Sequence, residues 1–114
     1  MHEASIAIEL AQLASEQALL NNARRIIKVG VRIGSLSSVI PEALEFAWEE
    51  SSIDTLAAGS RLEIERIPAR GICVNHGEIA LELSRGLRCP ICDAPTPNIT
   101  QGEELELDTL ELED

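Results

Sequence analysis

Two short spacings in the second half of the chain constrain its fold more than any other feature. They are Cys73-Val-Asn-His76 and, after a gap of twelve residues, Cys89-Pro-Ile-Cys92. Two residues between ligands form a tight knuckle that presents both side chains to one metal while its amides donate to sulfur. Gly77 after the first knuckle and Pro90 inside the second suit such turns. Three thiolates and one imidazole match tetrahedral Zn²⁺, with Cys73, His76, Cys89 and Cys92 as a closed structural site. A filled tetrahedron has no position for activating water, so such a metal holds shape and does no hydrolysis. For the fourth position, the alternatives to His76 are a water, a thiolate from a second chain or another side chain.

Other uses of these residues fit less well. A redox dithiol follows a strand and opens a helix, and Pro90, Pro95 and Pro97 disfavour a helix here. An iron–sulfur cluster asks for four cysteines, and the chain has three. That odd number also rules out a fully paired disulfide framework. Reduced thiols kept for metal binding point to a cytoplasmic protein.

From Ala69 to Pro97 the apolar residues show no sustained period, although Ile79 to Leu83 can form a short strand. The window also concentrates all three cysteines, His76 and three of the five prolines. It reads as a satellite that cannot close on hydrophobic burial alone and draws on a metal for stability.

The flanking sequence is regular. Ile6, Leu10, Leu13, Gln17 and Leu20 fall at helical spacing over residues 3–21, and Asn21-Asn22 supplies a stop. From Arg24 to Ile33 the period drops to two, with Ile27, Val29, Val31 and Ile33 on one face and Arg24, Lys28 and Arg32 on the other. Pro41 and Glu42 suit the first turn of a second helix, whose apolar stripe is Leu44, Ala47, Trp48 and Ser51. Leu62, Ile64 and Ile67 alternate as a second strand. Leu105 and Leu107 begin a third, in which Leu110 and Leu112 take the opposite parity, so a bulge near Asp108-Thr109 is expected.

The expected fold class is therefore α/β: two helices on a small three-stranded sheet, with an inserted zinc-ribbon-like domain between the second and third strands. Residues 1-68 plus 102-114 form one domain and 69-101 the other.

Charge narrows the partners. The chain of 114 residues has a net charge of −11, and seven of its twenty acids lie between Glu103 and Asp114. Such an excess of carboxylates repels phosphate, which argues against nucleic acid and anionic membrane surfaces alike. Tyr is absent, and Phe46 and Trp48 are the only aromatics, so there is no platform for base stacking. No apolar run approaches membrane-spanning length. An enzyme is disfavoured too: both histidines have other uses, and no phosphate-cradling Gly-Lys-Ser/Thr loop is present.

The start, Met1-His2-Glu3, offers a second kind of metal chemistry. The α-amine of Met1, the amide and imidazole nitrogens of His2 and the amide of Glu3 can wrap one cation in fused chelate rings. Four in-plane nitrogens favour Ni²⁺ or Cu²⁺ in square-planar geometry over tetrahedral Zn²⁺.

Taken in order, these features resemble the HypA/HybF family, the nickel metallochaperones of [NiFe]-hydrogenase maturation. The likeness runs from Met1-His2-Glu3 through Val31-Arg32-Ile33-Gly34-Ser35-Leu36, the helix with Phe46, and Gly59 to Ile64 leading to Pro68. It continues through the paired knuckles to the closing strand from Gly102. The resemblance implies a nickel site at Met1, His2 and Glu3, with His2 the essential side chain, and a structural zinc at Cys73, Cys89 and Cys92. The family's usual pattern has a second cysteine where His76 stands, and the exchange removes one negative charge from the shell and adds a protonatable ligand. The resemblance further implies a non-enzymatic carrier, with a HypB-type maturation GTPase and a hydrogenase large-subunit precursor as partners, and it leaves room for a homodimer. The competing expectation is a zinc-ribbon protein-interaction module with no specific nickel role.

Overall fold

The computed structural model describes residues 3–113. In chain order they form α1 (Glu3–Leu20), β1 (Arg25–Gly34), α2 (Pro41–Ser52), β2 (Arg61–Ile67), β3 (Arg70–Cys73), β4 (Gly77–Ala80), β5 (Asn98–Gln101) and β6 (Leu105–Glu113). A 3-10 turn covers Leu83–Arg85. The described chain divides into two compact units, one of residues 3–32, 39–65 and 106–113, the other of residues 33–38 and 66–105. Two helices with β-sheets make the fold α/β.

β1 is the central strand of a three-stranded sheet ordered β2-β1-β6. Arg24 N–H donates to the Glu113 carbonyl at 2.8 Å and Gly34 N–H to the Glu104 carbonyl at 2.8 Å, so β6 runs antiparallel to β1. Ser35 N–H donates to the Ile67 carbonyl at 2.9 Å, which brings the C-terminal ends of β1 and β2 together and makes that pair parallel. A parallel pair needs a crossover, and α2 provides it. β3, β4 and β5 fall in sequence between β2 and β6.

In α1 the buried stripe differs from the expected one. Ile6 and Leu10 are buried, but the rest of the stripe is Ala7, Ala11, Ala14 and Ala18, whereas Leu13 is 41% exposed and Leu20 76%. α1 packs on α2, and the face it buries is made largely of small residues. The stop at Asn21-Asn22 is observed: Asn22 takes a left-handed φ of 57°, and Ala23 N–H returns to the Ala18 carbonyl. In α2, Pro41 opens the first turn and Leu44, Trp48 and Ser52 are buried.

β1 also departs from simple alternation. Val29, Val31 and Ile33 are buried as expected, but Ile26 takes the inner position and Ile27 is 37% exposed. The period therefore slips by one between Ile26 and Val29. β6 is continuous, with Leu107, Leu110 and Leu112 half-buried, so its phase slips between Leu107 and Leu110. On the outer face of this sheet Arg32 holds Glu106 at 2.7 Å and Glu65 at 3.4 Å, and Lys28 holds Glu63 at 3.2 Å. Such half-exposed pairs contribute little to stability individually.

The second unit contains its own three-stranded sheet, ordered β4-β3-β5 and wholly antiparallel. Two of these strands, β3 and β5, leave no periodic signal because they are only four residues long. Ala69, Cys73, Ile79, Leu81 and Cys89 form the buried cluster of this unit, with Leu36, Ala94 and Ile99 packed against it. Gly34 closes on the backbone of Gly102: a Cβ on Gly34 would come within 2.0 Å of the Gly102 carbonyl oxygen. No helix among the described residues is long and apolar enough to cross a membrane.

Candidate metal centre

The register of the β3–β4 hairpin places the first knuckle. Cys73 pairs with Gly77 across the ladder, so residues 74–76 form the tip between them. Gly77 has φ 71°, a left-handed turn position that its lack of a Cβ permits. The second knuckle is closed by Asp93, with φ 60°, whose N–H donates to the Cys89 carbonyl at 2.8 Å, while Cys89 N–H donates to the Ala94 carbonyl at 2.9 Å. The two knuckles share one local pattern. Asn75 N–H donates to Cys73 Sγ at 3.4 Å, and Ile91 N–H donates to Cys89 Sγ at 3.4 Å. In each, the amide two residues after the first cysteine faces its sulfur.

These turns bring Cys73, His76, Cys89 and Cys92 together, with one ligand atom from each lying within 4.8 Å of the others. Cys73 Sγ is 3.6 Å from Cys92 Sγ and 3.7 Å from His76 Nδ1, which is itself 3.7 Å from Cys89 Sγ. A disulfide needs its sulfurs about 2.05 Å apart, so these cysteines are free. A tetrahedral ion with bonds of about 2.3 Å to sulfur separates its ligands by about 3.8 Å. The donors therefore stand at the spacing a four-coordinate metal requires, and the residues fit such an ion. Cys73 and Cys89 are buried, while His76 and Cys92 are exposed. The ion's inner side would be dry and its outer side wet.

The sulfurs are not equivalent. The Asn75 side chain donates to Cys92 Sγ at 3.5 Å, and with the Ala94 amide it lowers the Cys92 thiol to about 6. At Cys73 the Asn75 amide favours the thiolate, but burial and the neighbouring Cys92 and Cys89 outweigh it and push the thiol up. Exposed Cys92 is thus drawn toward the thiolate, which is the form that ligates. Asn75, which faces two of the sulfurs, is a neighbour of the cluster that knuckle spacing alone does not single out. Its one signal in the sequence is a polar side chain inside the first knuckle.

The amino-terminal arm is reached only in part. Met1 and His2 lie outside the described residues, and Glu3 is the first residue of α1. The Glu3 carboxylate accepts a hydrogen bond from Ile40 N–H at 3.1 Å. Among the described residues, the Cys/His cluster is the group of such side chains close enough to hold an ion.

Comparison with known proteins extends the picture over the whole chain. A family profile described as "Hydrogenase/urease nickel incorporation, metallochaperone, hypA" matches residues 1–112. "Hydrogenase maturation factor HypA" of Deinococcus radiodurans is 51% identical over 107 residues, covering 94% of this chain and 89% of the relative. The protein of the same name from Geobacter sulfurreducens is 40% identical over 113 residues, covering 99% of this chain and all of the relative. The solution structure of the nickel metallochaperone HypA from Helicobacter pylori superposes with a TM-score of 0.69 at 28% identity, covering 99% of this chain and 98% of that one. With sequence and fold both matched from end to end, the chain belongs to the HypA family of nickel-incorporation metallochaperones, which are maturation factors for hydrogenases and not enzymes.

Proposed function

We propose that this chain carries Ni²⁺ on its amino-terminal arm and delivers it to a [NiFe]-hydrogenase large-subunit precursor, assisted by a HypB-type maturation GTPase. The nickel donors are the Met1 amine, the His2 amide and imidazole, and Glu3. Zn²⁺ sits at Cys73, His76, Cys89 and Cys92 and holds the ribbon in shape. Residues 1-68 plus 102-114 then act as the nickel-binding domain and residues 69-101 as the zinc-binding domain.

One observation carries the division of labour: the cluster offers four donors at the spacing of a closed tetrahedron. An ion in a saturated site is hard to hand over. Cargo needs a second site of different chemistry, exposed and able to exchange ligands one at a time. The nitrogen donors of the arm suit Ni²⁺ in that role. The family profile supports the same view, since its match begins at residue 1 and so includes the arm. The free thiols suit a reducing compartment, so the proposal sets the protein in the cytoplasm, as a monomer or a homodimer.

Metal stoichiometry and nickel-edge spectroscopy on untagged protein test this proposal. One zinc in a sulfur-rich shell and one nickel in a nitrogen-rich, planar shell are expected. A tag left on the amino terminus consumes the α-amine and should abolish specific nickel binding, as should His2→Ala. Nickel binding in those variants as tight as wild type would overturn it. The competing role as an interaction module draws support from Val74 and Ile91, apolar residues 88% and 67% exposed within the two knuckles. One zinc with no tight nickel would favour it.

A further inference from the structure

The outer face of α2 combines an aromatic ring with carboxylates that the chain itself leaves unmet. On the inner side Leu44, Trp48 and Ser52 are buried and fix the helix in place. Turned the other way is Phe46, 90% exposed. Two turns further on comes Ile53, 65% exposed and still helical at φ −59° and ψ −34°. A separation of seven residues puts both on one stripe. Glu49 and Glu50, three and four residues after Phe46, stand beside that stripe, and Glu45 flanks it; all three are exposed.

Charge decides what kind of surface fits this face. α2 contains no Lys or Arg. The chain's cations hold acids elsewhere: Lys28 takes Glu63, Arg32 takes Glu65 and Glu106, and Arg70 takes Glu78. Among the described residues, no ion pair reaches the carboxylates of Glu45, Glu49 or Glu50. A second copy of the chain is a poor occupant. A two-fold contact sets the same patch on itself, so these carboxylates would meet one another with no cation between them. We propose that the outer face of α2 docks a different protein, which receives Phe46 in an apolar pocket rimmed by Lys or Arg. Aromatic side chains seated in pockets carry much of the energy of such contacts. Phe46 and Ile53 have the spacing by which a helix is recognised in a groove, and the carboxylates steer encounter and exclude acidic partners. This docking goes beyond the metal chemistry proposed above and does not depend on it.

Site-specific photo-cross-linking in the native host tests this, with each adduct mapped by mass spectrometry. Phe46→p-benzoylphenylalanine should give an adduct with one protein, at a segment where apolar residues adjoin Lys or Arg. Leu19→p-benzoylphenylalanine, at an exposed site on α1, should not give that adduct. With the adduct's partner purified, calorimetry on the unlabelled chain measures the energetics. Phe46→Ala should weaken binding about thirtyfold, the loss of one anchoring aromatic. The combined variant Glu45→Gln, Glu49→Gln, Glu50→Gln should weaken it about tenfold at low salt, and the difference should close at high salt. All four positions are exposed, so Trp48 fluorescence should report an unchanged fold in both variants. An adduct with a second copy of this chain, or a contact segment without cations, overturns the proposal. Equal adducts from residues 46 and 19, or no adduct at all, overturn it too. So does wild-type affinity in Phe46→Ala or in the combined variant.

Discussion

The side chain of Asn75 reaches from the first knuckle to the second, donating from Nδ2 to Cys92 Sγ at 3.5 Å. It is the leading cause of the lowered Cys92 thiol, about 6 against an ordinary value of 9.0. A depressed folded value has a definite sign in linkage: the stabilisation is complete above the unfolded value and is lost as pH falls through about 6. At the proposed zinc site, the metal and protons would compete for this sulfur. Asn75→Ala removes the main group favouring the thiolate, so zinc release on acidification should begin at higher pH. A shift of about half to one pH unit is expected for one hydrogen bond to a charged group. A pH titration with a chromogenic zinc indicator reads it, and an unchanged midpoint would show that Asn75 does not tune the site.

Removing the metal should unfold the two units unequally. In the ribbon, two of the five residues of the buried cluster, Cys73 and Cys89, belong to the group placed to hold a metal ion. The remaining apolar material is too little to hold three four-residue strands together. The first unit has a separate set of buried residues, among them Ile26, Val29, Leu44 and Trp48. Hydrogen exchange after treatment with a strong chelator should show β3, β4 and β5 losing protection while α1, α2 and the centre of β1 keep theirs. Retained protection in β3 would mean that the ribbon folds without metal.

The contrast between those two units also explains what the sequence reveals. Cys73, His76, Cys89 and Cys92 are legible because a knuckle is a local object: the two-residue spacing is written in adjacent positions. Both helices and the three long strands are legible for a similar reason, since Pro41, Asn22 and the alternation in β1 act over a few residues. The alanine face of α1 is not, because the burial of Ala11 and Ala14 is set by tertiary packing, and their small side chains carry little apolar signal in the sequence. Nor are β3 and β5. Strands of four residues bounded by cysteines and prolines carry no period, and pairing with the neighbouring strand defines them instead. The bond between Glu3 and Ile40 spans 37 positions and joins a carboxylate to a backbone amide. No side-chain pattern encodes an amide as a partner.

Gly34 is a position where sequence has no latitude. A Cβ there would lie 2.0 Å from the Gly102 carbonyl oxygen and 2.6 Å from the Glu103 nitrogen, and both are backbone atoms. Backbone cannot rotate away as a side chain can, and Gly34 N–H is already committed to the Glu104 carbonyl at 2.8 Å. Gly34→Ala should therefore destabilise the protein by about 2–4 kcal/mol, the range of overpacking at an unyielding site. By contrast, a Cβ added at Gly59 would meet nothing within 4 Å, and the φ of 75° is the source of any cost there. Urea denaturation of the two alanine variants should rank Gly34 as the costlier. Equal midpoints would mean that the chain relaxes around residue 34.

Trp48 supplies both a test of the first unit and its reporter. It is 3% exposed, and its Nε1–H donates to Ser60 Oγ at 3.0 Å, tying α2 to the turn before β2. Ser60→Ala leaves the indole in place and removes only the acceptor, so the apolar packing is retained while a buried donor loses its partner. Such an unsatisfied group costs about 1–3 kcal/mol. Because Trp48 is the only tryptophan, its fluorescence follows the unfolding of this unit without interference from the ribbon. The variant should shift the urea midpoint downward with an unchanged slope, since the surface exposed on unfolding is the same. A midpoint equal to that of the wild type would mean that water replaces Ser60 at the indole nitrogen at no cost.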